Sequence, residues 1–309
     1  MTSRRIIVLL IIFLGLLAYV YFFEIQGEKR KQAKKKSEEL LINLDKKQVT
    51  RLSFLPDGIV IAKDSTQWKI ISPVQTDADG STIESILDVF SQLKKGRFVS
   101  DNPNDFKKFG LMPYQYALVI NQQGNSDTLF IGDTNLDNTN VFYRKNGSHQ
   151  VYLVPINLKT DVTKSLFDLR DKCVISFDQD SVTEILLQYP NFTFHCIKDS
   201  VKQWLITQPD LGRAKSWKIA SLLYNIKNIK VTQFIDKPYK SDTFYGFDRP
   251  AIKLILKKKK LILTELLIGK KVEEKYYLKN NLTNTNFMVQ TKAKDNMSVK
   301  TEEFLDKDN

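Results

Sequence analysis

Any chemistry in this chain would have to start from two histidines, His149 and His195, and two cysteines, Cys173 and Cys196, in 309 residues. Neither a Cys-x-x-Cys pair nor any His/Cys spacing typical of zinc ligands occurs, so a metal centre is not expected. His195 and Cys196 are neighbours on an expected strand, where alternation turns them to opposite faces and leaves an adjacent dyad poorly arranged. The carboxylate pairs Asp77 with Asp79 and Asp133 with Asp137 stand in turn-like stretches where Asp is ordinary, which weakens an acid–base reading. Gly-x-Ser-x-Gly, Gly-x-Gly-x-x-Gly and Walker loops are all missing, and twelve glycines leave little for phosphate cradles. The expectation is no catalytic residue, no cofactor, no metal and no enzymatic activity. The cysteines are expected to be buried free thiols, with a disulfide as the alternative in an oxidising compartment.

Charge gives the other candidate group. The net charge of +12 is uneven: Lys plus Arg against Asp plus Glu stand at 8 and 4 before residue 40, 15 and 15 over residues 40–171, and 24 and 16 from 172 onward. In that last part Lys257, Lys258, Lys259 and Lys260 form a run, and Lys270 and Lys271 follow closely. These six are the candidate contacts for anionic lipid headgroups or another polyanion. The competing reading is a solvated edge turn that its lysines keep from aggregating. Nucleic acid is disfavoured, because the aromatics sit in apolar strand patterns without the interleaving a stacking platform needs.

The elements that would carry these groups begin with an anchor. Ile6 to Phe23, IIVLLIIFLGLLAYVYFF, is uncharged over 18 residues, which as a helix rises about 27 Å, close to the hydrocarbon thickness of a bilayer. Tyr19, Tyr21, Phe22 and Phe23 crowd its far end, where amphipathic rings favour the headgroup layer. Bulky rings also occupy the place where a signal-peptide cleavage site needs small residues, so an uncleaved transmembrane helix is expected. Residues 24–40 read as a charged tether. Arg4 and Arg5 precede the span while Lys29, Arg30, Lys31, Lys34, Lys35 and Lys36 follow it. A literal positive-inside count would hold the bulk of the chain in the cytoplasm, yet a signal-anchor can still export a long domain, and the residues leave sidedness open.

Beyond the tether the chain repeats itself. VTRLSF (49–54) matches VTEILL (182–187), and QWKIISP (67–73) matches QWLITQP (203–209). Ile83, Ile86, Leu87, Phe90 and Leu93 map at a constant offset of 136 onto Ile219, Leu222, Leu223, Ile226 and Ile229, and their spacing draws one apolar stripe on a helix. Ser81 with Glu84 is a candidate capping box, Gly96 a stop, and Ser216 the expected cap of the second helix. FGLMPYQYALVI (109–120) then matches YGFDRPAIKLIL (245–256), FIGD (130–133) matches LIGK (267–270), and the segment 142–155 matches 276–290. Gly110 and Gly246 are expected to end short helices in the left-handed conformation. Trp68 and Trp204 fall at equivalent strand positions and are expected as core or sheet-face residues rather than ligand stackers.

The resulting fold class is α+β: two tandem copies of a mainly antiparallel β domain, each with one principal amphipathic helix, behind the membrane anchor. The expected boundaries are 1–23 for a short stub and anchor, 24–40 for the tether and 41–166 for the first copy. A joint and the second copy fill 167–293, and 294–309 is a polar tail. Asp168, Arg170 and Asp171 are the candidate residues of the joint, locked by ion pairing.

These blocks, with the anchor, VYLVP and the DLRD joint, resemble the bacterial family called domain of unknown function 4340 over nearly the whole chain after the anchor. The resemblance implies a single-pass protein of the bacterial inner membrane with its bulk in the periplasm. It further implies an accessory role beside an ABC-type, gliding-like transporter, with transporter subunits as partners and no established catalytic residues. The alternative is an exported enzyme or a carbohydrate- or polyanion-binding module with its site in an inter-domain cleft.

Overall fold

The computed structural model describes residues 3–21, 29 and 39–306, and the chain divides into two compact units, Met1–Asp171 and Lys172–Asn309. Each unit is built on one antiparallel sheet of nine strands. The first holds β1 (Val49–Leu55), β2 (Ile59–Asp64), β3 (Gln67–Ser72), β4 (Thr76–Asp77), β5 (Arg97–Ser100), β6 (Tyr116–Gln122), β7 (Asn125–Thr134), β8 (Asn140–Lys145) and β9 (Val151–Pro155). Their order across the sheet is β4-β3-β2-β1-β6-β7-β8-β9-β5.

The second unit repeats this plan. Its strands are β10 (Glu184–Gln188), β11 (Thr193–Lys198), β12 (Trp204–Gln208), β13 (Gly212–Arg213), β14 (Val231–Ile235), β15 (Ile252–Lys258), β16 (Leu261–Val272), β17 (Lys275–Asn280) and β18 (Thr285–Gln290). They run in the order β13-β12-β11-β10-β15-β16-β17-β18-β14, the same topology. The tandem antiparallel architecture expected from the duplicated blocks is thus present, with more strands per copy than the sequence resolved.

Alternation of apolar and polar residues explains which face each strand buries. In β10 and β11, Ile185, Leu187, Phe194 and Cys196 are fully buried while the residues between them are partly exposed. One helix covers each sheet: Gly80–Gln92 in the first unit buries Ile83, Ile86, Leu87 and Phe90, and Ser216–Lys227 in the second buries Ile219, Leu222, Leu223 and Ile226. Numbered in chain order they are α2 and α5, after α1 (Ser3–Tyr19) and the short α3 (Asn157–Val162) and α4 (Leu166–Leu169). Trp68 and Trp204 lie in the two cores, as expected.

The caps differ from the sequence reading. Asp79, not Ser81, caps α2, its carboxylate accepting from the N–H groups of Ser81 and Thr82 at 3.0 and 3.1 Å. A carboxylate at this position also meets the positive end of the helix dipole, an advantage Ser lacks. Glu84 accepts instead from the Trp68 indole N–H at 3.3 Å. Lys215, not Ser216, precedes α5; it gives no side-chain cap, and its N–H donates to the Phe304 carbonyl at 2.8 Å.

The repeated glycines are explained by a close approach. A Cβ on Gly132 would stand 2.1 Å from the Phe109 carbonyl oxygen, and one on Gly269 would stand 2.2 Å from that of Tyr245. Their partners in the loop, Gly110 and Gly246, hold φ of +67° and +78°, and Gly246 caps the helix Asp242–Tyr245 (α6) in the left-handed conformation. The aromatic-Gly and x-I-G-x words recur because each copy must bring these two backbones together.

Two boundaries are corrected. Asp168, Arg170 and Asp171, grouped with the second copy by the expected boundary at 167, belong to the first unit. Asp168 closes a capping box with Ser165, Arg170 bridges Ala78, and the Asp171 N–H donates to the Asp77 carbonyl at 3.1 Å. Residues 294–306, expected as a polar tail, do the same for the second unit. After α7 (Lys292–Asp295) and α8 (Thr301–Phe304), Leu305 bridges Ala214 and the Asp306 N–H donates to the Arg213 carbonyl at 2.9 Å. Met297, Val299 and Phe304 are buried in the core of that unit. Each copy therefore ends with the same closing segment.

At the N-terminus α1 carries exposed apolar side chains at Ile7, Leu10, Phe13, Leu14, Leu17 and Tyr19. No helix among the described residues is long and apolar enough to cross a membrane. Phe22 and Phe23, the end of the expected span, and nearly all of the expected tether lie outside the described residues.

Candidate functional site

The fold separates the six candidate lysines. Lys257 projects from β15 onto the outer face of the sheet and donates to Glu184 Oε1 at 2.7 Å. Lys258, Lys259 and Lys260 form the exposed tip of the β15–β16 hairpin. Lys270 and Lys271 lie near the other end of the long strand β16. Lys270 Nζ donates to the Thr243 carbonyl at 2.8 Å while its stem packs on Gly246, and Lys271 pairs with Glu274 at 3.6 Å.

Around Lys257 a polar row crosses four strands. Thr207 Oγ1 on β12 lies 2.7 Å from His195 Nδ1 on β11, and His195 Nε2 lies 3.2 Å from Glu184 Oε1 on β10. A bulge beside His195 brings Thr207 to the same face, whereas Cys196, the next residue, points into the core. Burial works against ionisation of Glu184, but hydrogen bonds from Lys257 and His195 outweigh it and hold the carboxyl below the usual carboxylate range. Hydroxyl, imidazole and carboxylate stand in the order of a nucleophilic relay. Lys257, however, shares the same carboxylate oxygen and neutralises the charge that would support an imidazolium. The row forms a cross-strand lattice of hydrogen bonds and an ion pair on the outer face of the sheet. Sequence reasoning missed it because its members lie on four separate strands.

Cys196 is fully buried in apolar surroundings, which push its thiol up to about 12, whereas Cys173 is half-buried and accepts from Lys230 Nζ at 2.9 Å. Among the described residues no cluster of three or more His, Cys, Asp or Glu side chains could hold a metal ion. The carboxylates weighed for acid–base work are placed apart in role: Asp79 caps a helix, while Asp133 and Asp137 line an open groove of 960 Å³ in the first unit. Phe109, Phe142 and Leu153 form the apolar part of that groove, and Arg97, Lys108 and Lys159 are its cations.

Another surface feature of the second unit is on α5. Trp217 and Tyr224 are 64% and 62% exposed and stand seven residues apart, two turns along one face. At the offset of 136 their counterparts on α2 are Ser81 and Asp88, and Ala220 between them replaces Glu84. The buried faces of the two helices match while the outer faces diverge from polar to aromatic. That contrast is legible in the register of the repeat, where Ser81, Glu84 and Asp88 stand opposite Trp217, Ala220 and Tyr224.

A family model, described as a domain of unknown function (DUF4340), matches residues 68–243 and 204–309. The chain belongs to the DUF4340 family. The two overlapping matches agree with the tandem arrangement. No curated protein and no solved structure matches the chain.

Proposed function

We propose that this DUF4340 chain is a single-pass, membrane-anchored protein of the cell envelope that works by binding, as a non-catalytic accessory subunit of an ABC-type transport complex. The observation that carries the binding role is the aromatic stripe Trp217–Tyr224. Large rings left in water on a helix whose twin is polar are what a protein contact needs, since Trp and Tyr dominate the energetics of such interfaces. The anchor is supported by the uncharged run Ile6–Phe23 and by the exposure of its apolar side chains around α1. The family resemblance supports the periplasmic side and the transporter partner.

The test is capture of the full chain from its native membrane in mild detergent, with mass spectrometry, beside a chain lacking residues 1–40. Co-recovery of a permease or ATPase with the anchored chain supports the proposal. Recovery of no stoichiometric partner contradicts it. A second reading, a module for a small anionic or glycan ligand, draws on the first unit's groove, lined by Arg97, Lys108 and Lys159 with Asp133 and Asp137 beside the apolar Phe109, Phe142 and Leu153. Binding of such a ligand that is lost in Arg97→Ala would favour it.

A further inference from the structure

The two hairpin tips at one end of the second sheet form a single surface. Thr183, just before β10, ties them together: its N–H donates to the Lys257 carbonyl at 2.8 Å, its carbonyl accepts from the Lys198 N–H at 2.8 Å, and its hydroxyl accepts from the Lys259 N–H at 2.6 Å. Side by side therefore stand the β11–β12 turn with Val201 and Lys202, and the β15–β16 tip with Lys258, Lys259 and Lys260 followed by Leu261 and Ile262. Val201, Leu261 and Ile262 are 70%, 63% and 40% exposed.

Two acids lie nearby, Asp199 and Asp180. The Asp199 carboxylate accepts from the N–H groups of Val201 and Gln203 at 2.9 and 2.8 Å, Lys198 Nζ donates to the Asp180 backbone carbonyl at 3.4 Å, and the two carboxylates are outnumbered by Lys198, Lys202, Lys258, Lys259 and Lys260. The surface stays basic. The first unit provides a control: its equivalent turns, Asp64–Thr66 and Gln122–Asn125, carry no lysine and no large aliphatic side chain.

We propose that this end of the second unit docks on a bilayer surface rich in anionic phospholipid headgroups, with Val201, Leu261 and Ile262 entering the interfacial layer. The inference rests on the reading of an anchored chain. Lysines beside protruding aliphatic side chains match headgroup phosphates above an apolar layer, a chemistry that combines Coulomb attraction with shallow burial. A second copy of the same tip is disfavoured by repulsion between like charges. A soluble polyanion would use the lysines but leave Val201 and Leu261 in water.

The test uses the full chain reconstituted into phosphatidylcholine vesicles with or without phosphatidylglycerol. An environment-sensitive fluorophore is placed through Leu261→Cys in a Cys173→Ser background, Cys196 being fully buried. The same label through Asn125→Cys reports the equivalent first-unit tip. The expected result is a blue shift at 261 only with phosphatidylglycerol, absent at 125 and reversed by salt. Replacing Lys258, Lys259 and Lys260 by Gln should lower the docking constant about a hundredfold, at about fivefold per lysine. An aqueous spectrum at 261 on anionic vesicles overturns the inference, and so does a shift that the triple variant keeps. Flotation of the chain with vesicles in high salt reports the anchor separately. A chain that floats while 261 stays aqueous defeats the docking and leaves the anchor standing; a chain that does not float defeats the anchor reading itself.

Discussion

Glu184 shows how single residues hold the second sheet. Its carboxyl is depressed by Lys257 and His195 against the opposing effect of burial, so its contribution to stability is fully present above the ordinary carboxylate pKa. That contribution fades as pH falls through the lowered folded value. Lys257→Met should therefore destabilise the protein by about 1 kcal/mol at neutral pH, with a deficit that shrinks in acid. Urea melts across that range check it, and a deficit independent of pH would contradict the assignment. Gly269 tests a different force. Gly269→Ala must push a methyl group into the Tyr245 carbonyl and should lower stability by about 3 kcal/mol or more. Gly58→Ala, with open space but a φ of +66°, should cost only about 1 kcal/mol. Equal losses would remove the close-approach explanation. Gly269 was legible as part of a repeated word, while the reason for it lay in a contact between segments 24 residues apart in sequence, Tyr245 and Gly269.

At the scale of elements, the helix stripes and strand alternation were readable because burial repeats at fixed periods. The closing segment of the second unit was not. Lys292, Lys294, Asp295, Lys300, Glu302 and Glu303 surround Met297, Val299 and Phe304, and charge masked three core residues whose spacing belongs to two short turns of helix rather than one long one. Phe304 packs edge-to-face on Phe194 at 5.4 Å, so Phe304→Ala should cost about 3 kcal/mol, whereas Glu302→Ala, exposed, should stay within about 0.5 kcal/mol. Differential scanning calorimetry of the two variants decides between a built-in element and a tail. The outer face of α5 predicts the opposite pattern. Trp217→Ala with Tyr224→Ala should leave stability within about 1 kcal/mol and abolish partner capture, because these rings pack mainly against water in the free chain.

For the whole molecule, duplication made the architecture legible and function less so. Two copies share a topology and diverge at the α5 face, the hairpin tips and the six lysines that the fold sorts into a lattice, a tip and a far end. The absence of familiar catalytic spacing shaped the reading toward binding, and the polar row on β12, β11, β10 and β15 shows why spacing alone is a poor guide when four strands assemble a constellation. The most direct measurement is photo-crosslinking in native membranes from the full chain, with the crosslinker at position 217 or, as control, at position 81. The account predicts one dominant adduct with a transporter subunit from 217 and none from 81. Equal labelling from both positions, or no protein adduct from 217, would contradict it.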